Sequence, residues 1–130
     1  MSYMVNGMPV ERLETENTER GNLVVIYGGS KEENIRFLVA GSLGSKLAGL
    51  GFRVYCFDFR SNLDSSRFNE FGLYDRLEDS RRIVRSVLEK SETGASLPLS
   101  LLGISMGGPL AVNIGAELGV GLANLFLIAP

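Results

Sequence analysis

Gly103-Ile104-Ser105-Met106-Gly107-Gly108 is the segment of this chain whose residue types and spacing could do chemistry. The pattern G-x-S-x-G suits a sharp strand-to-helix turn that pushes the central serine hydroxyl outward, where it can act as a nucleophile. Side chains at 103 and 107 would collide with the neighbouring strand and helix, so only very small residues fit there, and Gly108 extends the same elbow. A helix starting directly after Ser105 would aim unpaired backbone N–H groups and the positive end of its dipole at that hydroxyl. Negative charge developing on a substrate oxygen would then be stabilised, with the Met106 N–H as the first oxyanion donor. A second donor is expected from the glycine-rich stretch Gly28-Gly29-Ser30, foremost from Gly29 and next from Ser30. The chemistry implied is attack by Ser105 on the carbonyl of a small-molecule ester, thioester or amide.

Such a site needs strands and helices that hold it, and the sequence supplies them in alternation. Leu23-Val24-Val25-Ile26-Tyr27 and Phe52-Arg53-Val54-Tyr55-Cys56-Phe57-Asp58 read as strands, the first apolar on both faces as a strand covered on each side must be. Leu97 to Gly103 and Leu122 to Ala129 read likewise, and the last is expected to be a buried parallel strand. Between the first two strands, Ser30 and Glu33 could form a capping box. One helix is expected from there, with Ile35, Leu38, Val39, Leu43 and Leu47 on one face and Gly51 as its stop. Leu73, Leu77, Val84, Val87 and Leu88 recur at helical spacing from 73 to 90, with Arg76, Glu78, Arg81, Arg82, Arg85 and Glu89 on the solvated faces. A small-residue helix follows from Met106 to about Leu118. Asn6-Gly7 between Tyr3-Met4-Val5 and Met8-Pro9-Val10 predicts an opening hairpin. Residues 60 to 66 predict a surface loop. The class is α/β, a mostly parallel sheet flanked by helices, in a single unit spanning residues 1–130.

Other residues able to do chemistry have plainer readings. Asp58 and Arg60 fit a strand-end ion pair or a loop anchor better than catalysis. Cys56 lies among apolar residues and reads as a core thiol. Glu117, the one carboxylate side chain after Ser105, falls inside a helix and reads as a surface residue. Gly41-Ser42-Leu43-Gly44-Ser45-Lys46 has the wrong spacing for a phosphate loop, and G-x-G-x-x-G is absent, so nucleotide binding is not indicated.

Composition bounds the rest. Hydrophobic residues make up 45% of the 130, and charged residues 22%, a globular balance. A net charge of -2 without a basic stripe argues against a nucleic-acid partner. No apolar run approaches the ~18 residues that would span a bilayer, and the first residues lack the pattern of a secretory signal. A single cysteine fits a reducing cytoplasm. No cofactor and no metal are expected.

On these motifs the sequence resembles the first, N-terminal part of the α/β-hydrolase family, over nearly all 130 residues. The elbow is the most specific element, joined by the Asn6-Gly7 hairpin, the strand ending in Tyr27-Gly28-Gly29, and Asp58-Phe59-Arg60 followed by a serine-rich loop. The chain carries Tyr27-Gly28 where family members often have His-Gly, and Ser61-Asn62-Leu63 where many have a glycine-rich loop. The resemblance implies a triad ordered Ser, Asp or Glu, His, yet the chain contains no histidine. A truncated chain or fragment is therefore expected, its acid and base supplied by later strands and loops. The alternative is an inactive relative that serves as a binding or assembly module. A truncated sheet would present Leu125 to Ala129 as an unpaired apolar edge, through which a homo-oligomer could form.

Overall fold

The computed structural model describes residues 1–28, 34, 35, 38, 42–63, 72–90 and 97–128. The hairpin expected at the start is present: β1 (Ser2–Val5) pairs antiparallel with β2 (Met8–Leu13). Asn6 and Gly7 between them have φ of 47° and 81°, the two positive values that let a two-residue turn follow the strands' twist. Four further strands complete a six-stranded sheet of order β1-β2-β4-β3-β5-β6: β3 (Gly21–Gly28), β4 (Phe52–Phe57), β5 (Leu99–Ser105) and β6 (Asn124–Ile128). β4, β3, β5 and β6 run parallel, and β2 joins β4 antiparallel.

The strands that read as apolar on both faces are buried on both because each face has its own core. Val24, Ile26, Phe57 and Leu101 face helices on one side of the sheet, while Leu23, Val25, Val54 and Leu102 face the other. All eight are no more than 4% exposed, and full burial of such a side chain contributes about 1.5–3 kcal/mol. The second face is covered by α1 (Leu43–Gly49) together with helical backbone at Asn34, Ile35 and Leu38. The first is covered by α3 (Leu73–Glu89) and α4 (Gly107–Leu118) through Ile83, Val84, Val87, Leu110 and Ile114. A four-residue helix, α2 (Arg60–Leu63), follows β4.

Four expectations need correction. The continuous helix ending at Gly51 is interrupted at Ser42, whose backbone is left-handed with φ 60°. The interruption keeps the phase of Ile35, Leu38, Leu43 and Leu47, which all reach the same core, so periodicity alone could not reveal it. Ser30, Glu33 and Val39 lie outside the described residues. On α3, Leu73 and Leu88 are exposed and Arg76 is buried, because the face turned to the sheet is built on Asp79, Ser80, Ile83, Val84 and Val87. The segment expected to be a surface loop from residue 60 starts as α2 with Ser61 only 1% exposed. Finally, β6 is parallel as expected but exposed along its length, because it forms the sheet's edge.

Candidate active site

The register of the sheet brings the chemistry-bearing residues to the carboxyl ends of its central strands. β3 and β5 pair residue for residue from Asn22 with Leu99 to Gly28 with Ser105, so both strands end side by side at their carboxyl ends. Asp58 and Arg60 follow the carboxyl end of the neighbouring strand β4. Gly29 and Ser30, the residues next along the chain from Gly28, lie outside the described residues.

Ser105 closes β5 with φ 57°, a left-handed backbone that a serine adopts at a cost of about 1–3 kcal/mol. Three glycines make the turn sterically possible. A Cβ on Gly103 would stand 2.7 Å from the Gly107 carbonyl oxygen and 2.9 Å from Ala111 Cβ. A Cβ on Gly107 would fall onto the Ile26 carbonyl of β3. A Cβ on Gly28 would stand 2.5 Å from both the Gly107 nitrogen and Met106 Cβ. The turn is thus wedged against β3 by backbone on backbone. Gly108 differs from these, since its nearest neighbour would be Leu127 Cδ2 at 4.0 Å.

Beyond the turn, Met106 occupies the N-cap of α4 and is 52% exposed. No side chain caps this helix, and its first turn contains no acidic residue. The positive end of the helix dipole therefore meets no carboxylate of its own first turn beside Ser105.

The surrounding carboxylates are occupied in bracing. Asp58 is 3% exposed and accepts the backbone N–H groups of Asn34 and Ile35, the latter at 3.1 Å, so it pins the segment that follows Gly29 and Ser30. The loop-anchor reading of Asp58 describes these contacts. Arg60 donates to Asp79 twice, by its backbone N–H at 3.1 Å and by Nε at 2.6 Å. Burial raises the Asp79 carboxyl above its ordinary value, and the hydrogen bonds and charge of Arg60 offset part of that rise. Glu117 accepts from Arg81 at 2.5 and 3.0 Å, and Arg81 also donates to Glu78 at 2.6 Å. Glu117 thereby clamps α4 to α3 and takes no part in the site. The Cys56 thiol is fully buried, and burial, with Glu11 and Asp58 nearby, pushes it up to about 12. At neutral pH it stays a thiol, which makes it a poor nucleophile.

Sequence reasoning missed Asn34, which is 1% exposed and whose side-chain Nδ2 and Oδ1 find no hydrogen-bond partner among the described residues. The Ser61 hydroxyl is likewise buried without a partner. Neither shows a signal in spacing, because a polar residue buried singly follows no apolar period. Among the described residues, no group of three His, Cys, Asp or Glu side chains could hold a metal ion.

No protein-family model matches the sequence, and no curated protein does. The structure, in contrast, superposes on solved enzymes. A highly thermostable carboxyl esterase from Bacillus coagulans matches with a TM-score of 0.71 at 24% identity, over 98% of this chain and 42% of that one. An alpha/beta hydrolase from Novosphingobium aromaticivorans matches with 0.66 at 18% identity, again over 98% and 42%. An esterase/lipase from an uncultured bacterium matches with 0.67 at 17% identity, over 96% and 41%.

The fold is that of the α/β-hydrolases. The chain spans about two fifths of the length of these α/β-hydrolase structures. Ser105 stands at the turn between β5 and α4, with the end of β3 beside it. Among the described residues no helix is long and apolar enough to cross a membrane.

Proposed function

We propose that this chain carries the nucleophile of a serine hydrolase, with Ser105 attacking the carbonyl of an ester, thioester or amide. The observation that carries the reading is Ser105 at φ 57° between a buried strand and a helix start that no side chain caps. A strained, partly buried serine at that junction suits a nucleophilic hydroxyl, and a plain strand-to-helix turn has no need of the strain.

In this mechanism Ser105 Oγ bonds to the carbonyl carbon as its proton passes to a histidine, and the carbonyl oxygen becomes an oxyanion. The Met106 N–H and the Gly29 N–H, with Ser30 next in line, stabilise that oxyanion. Collapse expels the alcohol, thiol or amine with the proton from the histidine. Water then releases the acyl group by the same steps in reverse roles. The histidine and its acid partner come from polypeptide outside these 130 residues, since the chain has no histidine and Glu117 is committed to Arg81. A cytoplasmic setting belongs to the same reading and rests on the single, buried Cys56.

The missing histidine also favours a second reading, an inactive relative that binds a ligand or partner above Ser105. Labelling with a fluorophosphonate probe, read by intact mass and with Ser105→Ala as control, separates the two. The expected result is negligible labelling of the 130-residue chain alone and stoichiometric labelling of Ser105 when polypeptide bearing the histidine completes the fold. A completed fold whose Ser105 stays unlabelled would sink the hydrolase reading and leave the binding module.

A further inference from the structure

Thioethers and thiolates are side-chain groups that peroxides oxidise, and the chain carries four methionines and one cysteine. Met8 and Cys56 are fully buried. Met1 and Met4 are exposed, but they stand at the opening hairpin. In the strand order, β1 is four steps from β5, a distance of about 19 Å at the usual strand spacing. Met106 differs from all of these, being 52% exposed and next along the chain from Ser105.

The backbone fixes where the Met106 side chain starts. A Cβ on Gly28 would stand 2.5 Å from Met106 Cβ, and Gly28 pairs in register with Ser105. Met106 Cβ therefore rests against the end of β3, beside the serine. The thioether projects from the ground that the proposed oxyanion donors share, namely its own N–H and that of the residue after Gly28. A thioether is a weak acceptor and leaves such donors free. A sulfoxide is polar and carries a partly negative oxygen. It competes for those N–H groups and repels negative charge developing at Ser105.

We propose that Met106 is an oxidation site, and that its conversion to methionine sulfoxide by hydrogen peroxide switches off the neighbouring nucleophile. The inference rests on the serine-hydrolase reading of Ser105. In the step, a lone pair of Met106 Sδ attacks one peroxide oxygen. The S–O bond forms as the O–O bond breaks, and the other oxygen leaves as water with both peroxide protons. Sulfur is oxidised by two electrons and the peroxide is reduced by two. Methionine sulfoxide reductases reverse the change, which makes it a switch and not a lesion.

Two measurements test it. The folded 130-residue chain is treated with hydrogen peroxide and mapped by peptide mass spectrometry. Met106 should be oxidised at least tenfold faster than buried Met8 and at a rate close to that of Met4. The fold completed by polypeptide bearing the histidine is then treated in the same way, and the rate of fluorophosphonate labelling at Ser105 is followed. Loss of one oxyanion donor costs about 10²–10³ in rate, so labelling should fall at least tenfold and recover on incubation with the reductases. Met4→Leu should respond to peroxide as the unchanged chain does. Met106→Leu should keep, after peroxide, whatever labelling rate it had before. The proposal is overturned if Met106 stays reduced while Met4 is oxidised, or if the Met106 sulfoxide labels as fast as the thioether. It is equally overturned if Met106→Leu loses its rate to peroxide as the unchanged chain does. A completed fold that fails to label before any peroxide is added sinks the hydrolase reading itself, and the switch with it.

Discussion

Gly107 and Gly108 are adjacent in the same motif, yet the fold asks different things of them. Gly107 meets the backbone of β3, and backbone cannot move aside without dragging the strand that aligns Gly28 with Ser105. Gly107→Ala is therefore expected to cost about 3 kcal/mol or more. Gly108 has room for a methyl group, and alanine is the better helix former by up to about 1 kcal/mol. Gly108→Ala should hold or raise the melting temperature while Gly107→Ala loses cooperative unfolding, both read by circular dichroism. Equal damage from the two would mean that the elbow is packed otherwise than described. The pattern G-x-S-x-G made the small residues at 103 and 107 legible, because collision at a sharp turn depends only on local geometry. It could not separate Gly108 from Gly107 or reveal that Gly28 is under the same constraint, because those answers depend on which strand lies alongside.

Between elements, the bond from α3 to α4 is carried in part by Arg81 and Glu117. The hydrogen bonds from Arg81 hold the Glu117 carboxyl below its ordinary value of 4.5, with the charges of Arg81 and Arg85 adding to the effect. A carboxyl lowered in the folded state binds its proton more weakly there than in the unfolded chain, so it adds stability above its ordinary value and loses it as pH falls through the lowered one. Glu117 is 46% exposed on its side chain, so solvent screens the pair and its worth stays below about 1 kcal/mol. Glu117→Gln should thus lower the urea midpoint slightly at pH 7, and the gap to the unchanged chain should close on acidification past pH 4.5. A gap that persists at the acid end would show that packing, not charge, is responsible. The helices themselves were legible from periodicity, but their pairing was not: Arg81 and Glu117 are 36 residues apart and nothing in spacing links them. The same limit hid the break at Ser42, where the helix stops and restarts without losing phase, and the burial of Arg76, which no apolar pattern announces.

For the molecule as a whole, the two edges of the sheet are unlike. β1 ends one side as a four-residue strand at the hairpin. β6 ends the other with Leu125, Phe126, Leu127 and Ile128 between 38% and 55% exposed. One side of β6 pairs with β5, which leaves backbone N–H and C=O groups of the outer side as a template for another strand. The apolar run of this strand was plain in the sequence, whereas its place at the edge follows from strand order, which the sequence does not print. A flat, uncharged, apolar edge recruits partners, and chains with such edges associate at micromolar and higher concentrations. The 130-residue chain should accordingly show concentration-dependent, heterogeneous self-association in sedimentation velocity. Leu127 reaches α4, with Cδ2 at 4.0 Å from the position a Gly108 Cβ would take, and it is 55% exposed. A lysine there can carry its charge to solvent while its stem keeps the contact with α4. Leu127→Lys should suppress association and leave the melting temperature within a few degrees, because edge lysines repel an incoming strand without disturbing the pairs already made. A monodisperse monomer of the unchanged chain across the same concentrations would show that the edge is protected by something in its own 130 residues, and the case for a missing neighbour beside β6 would fall with it.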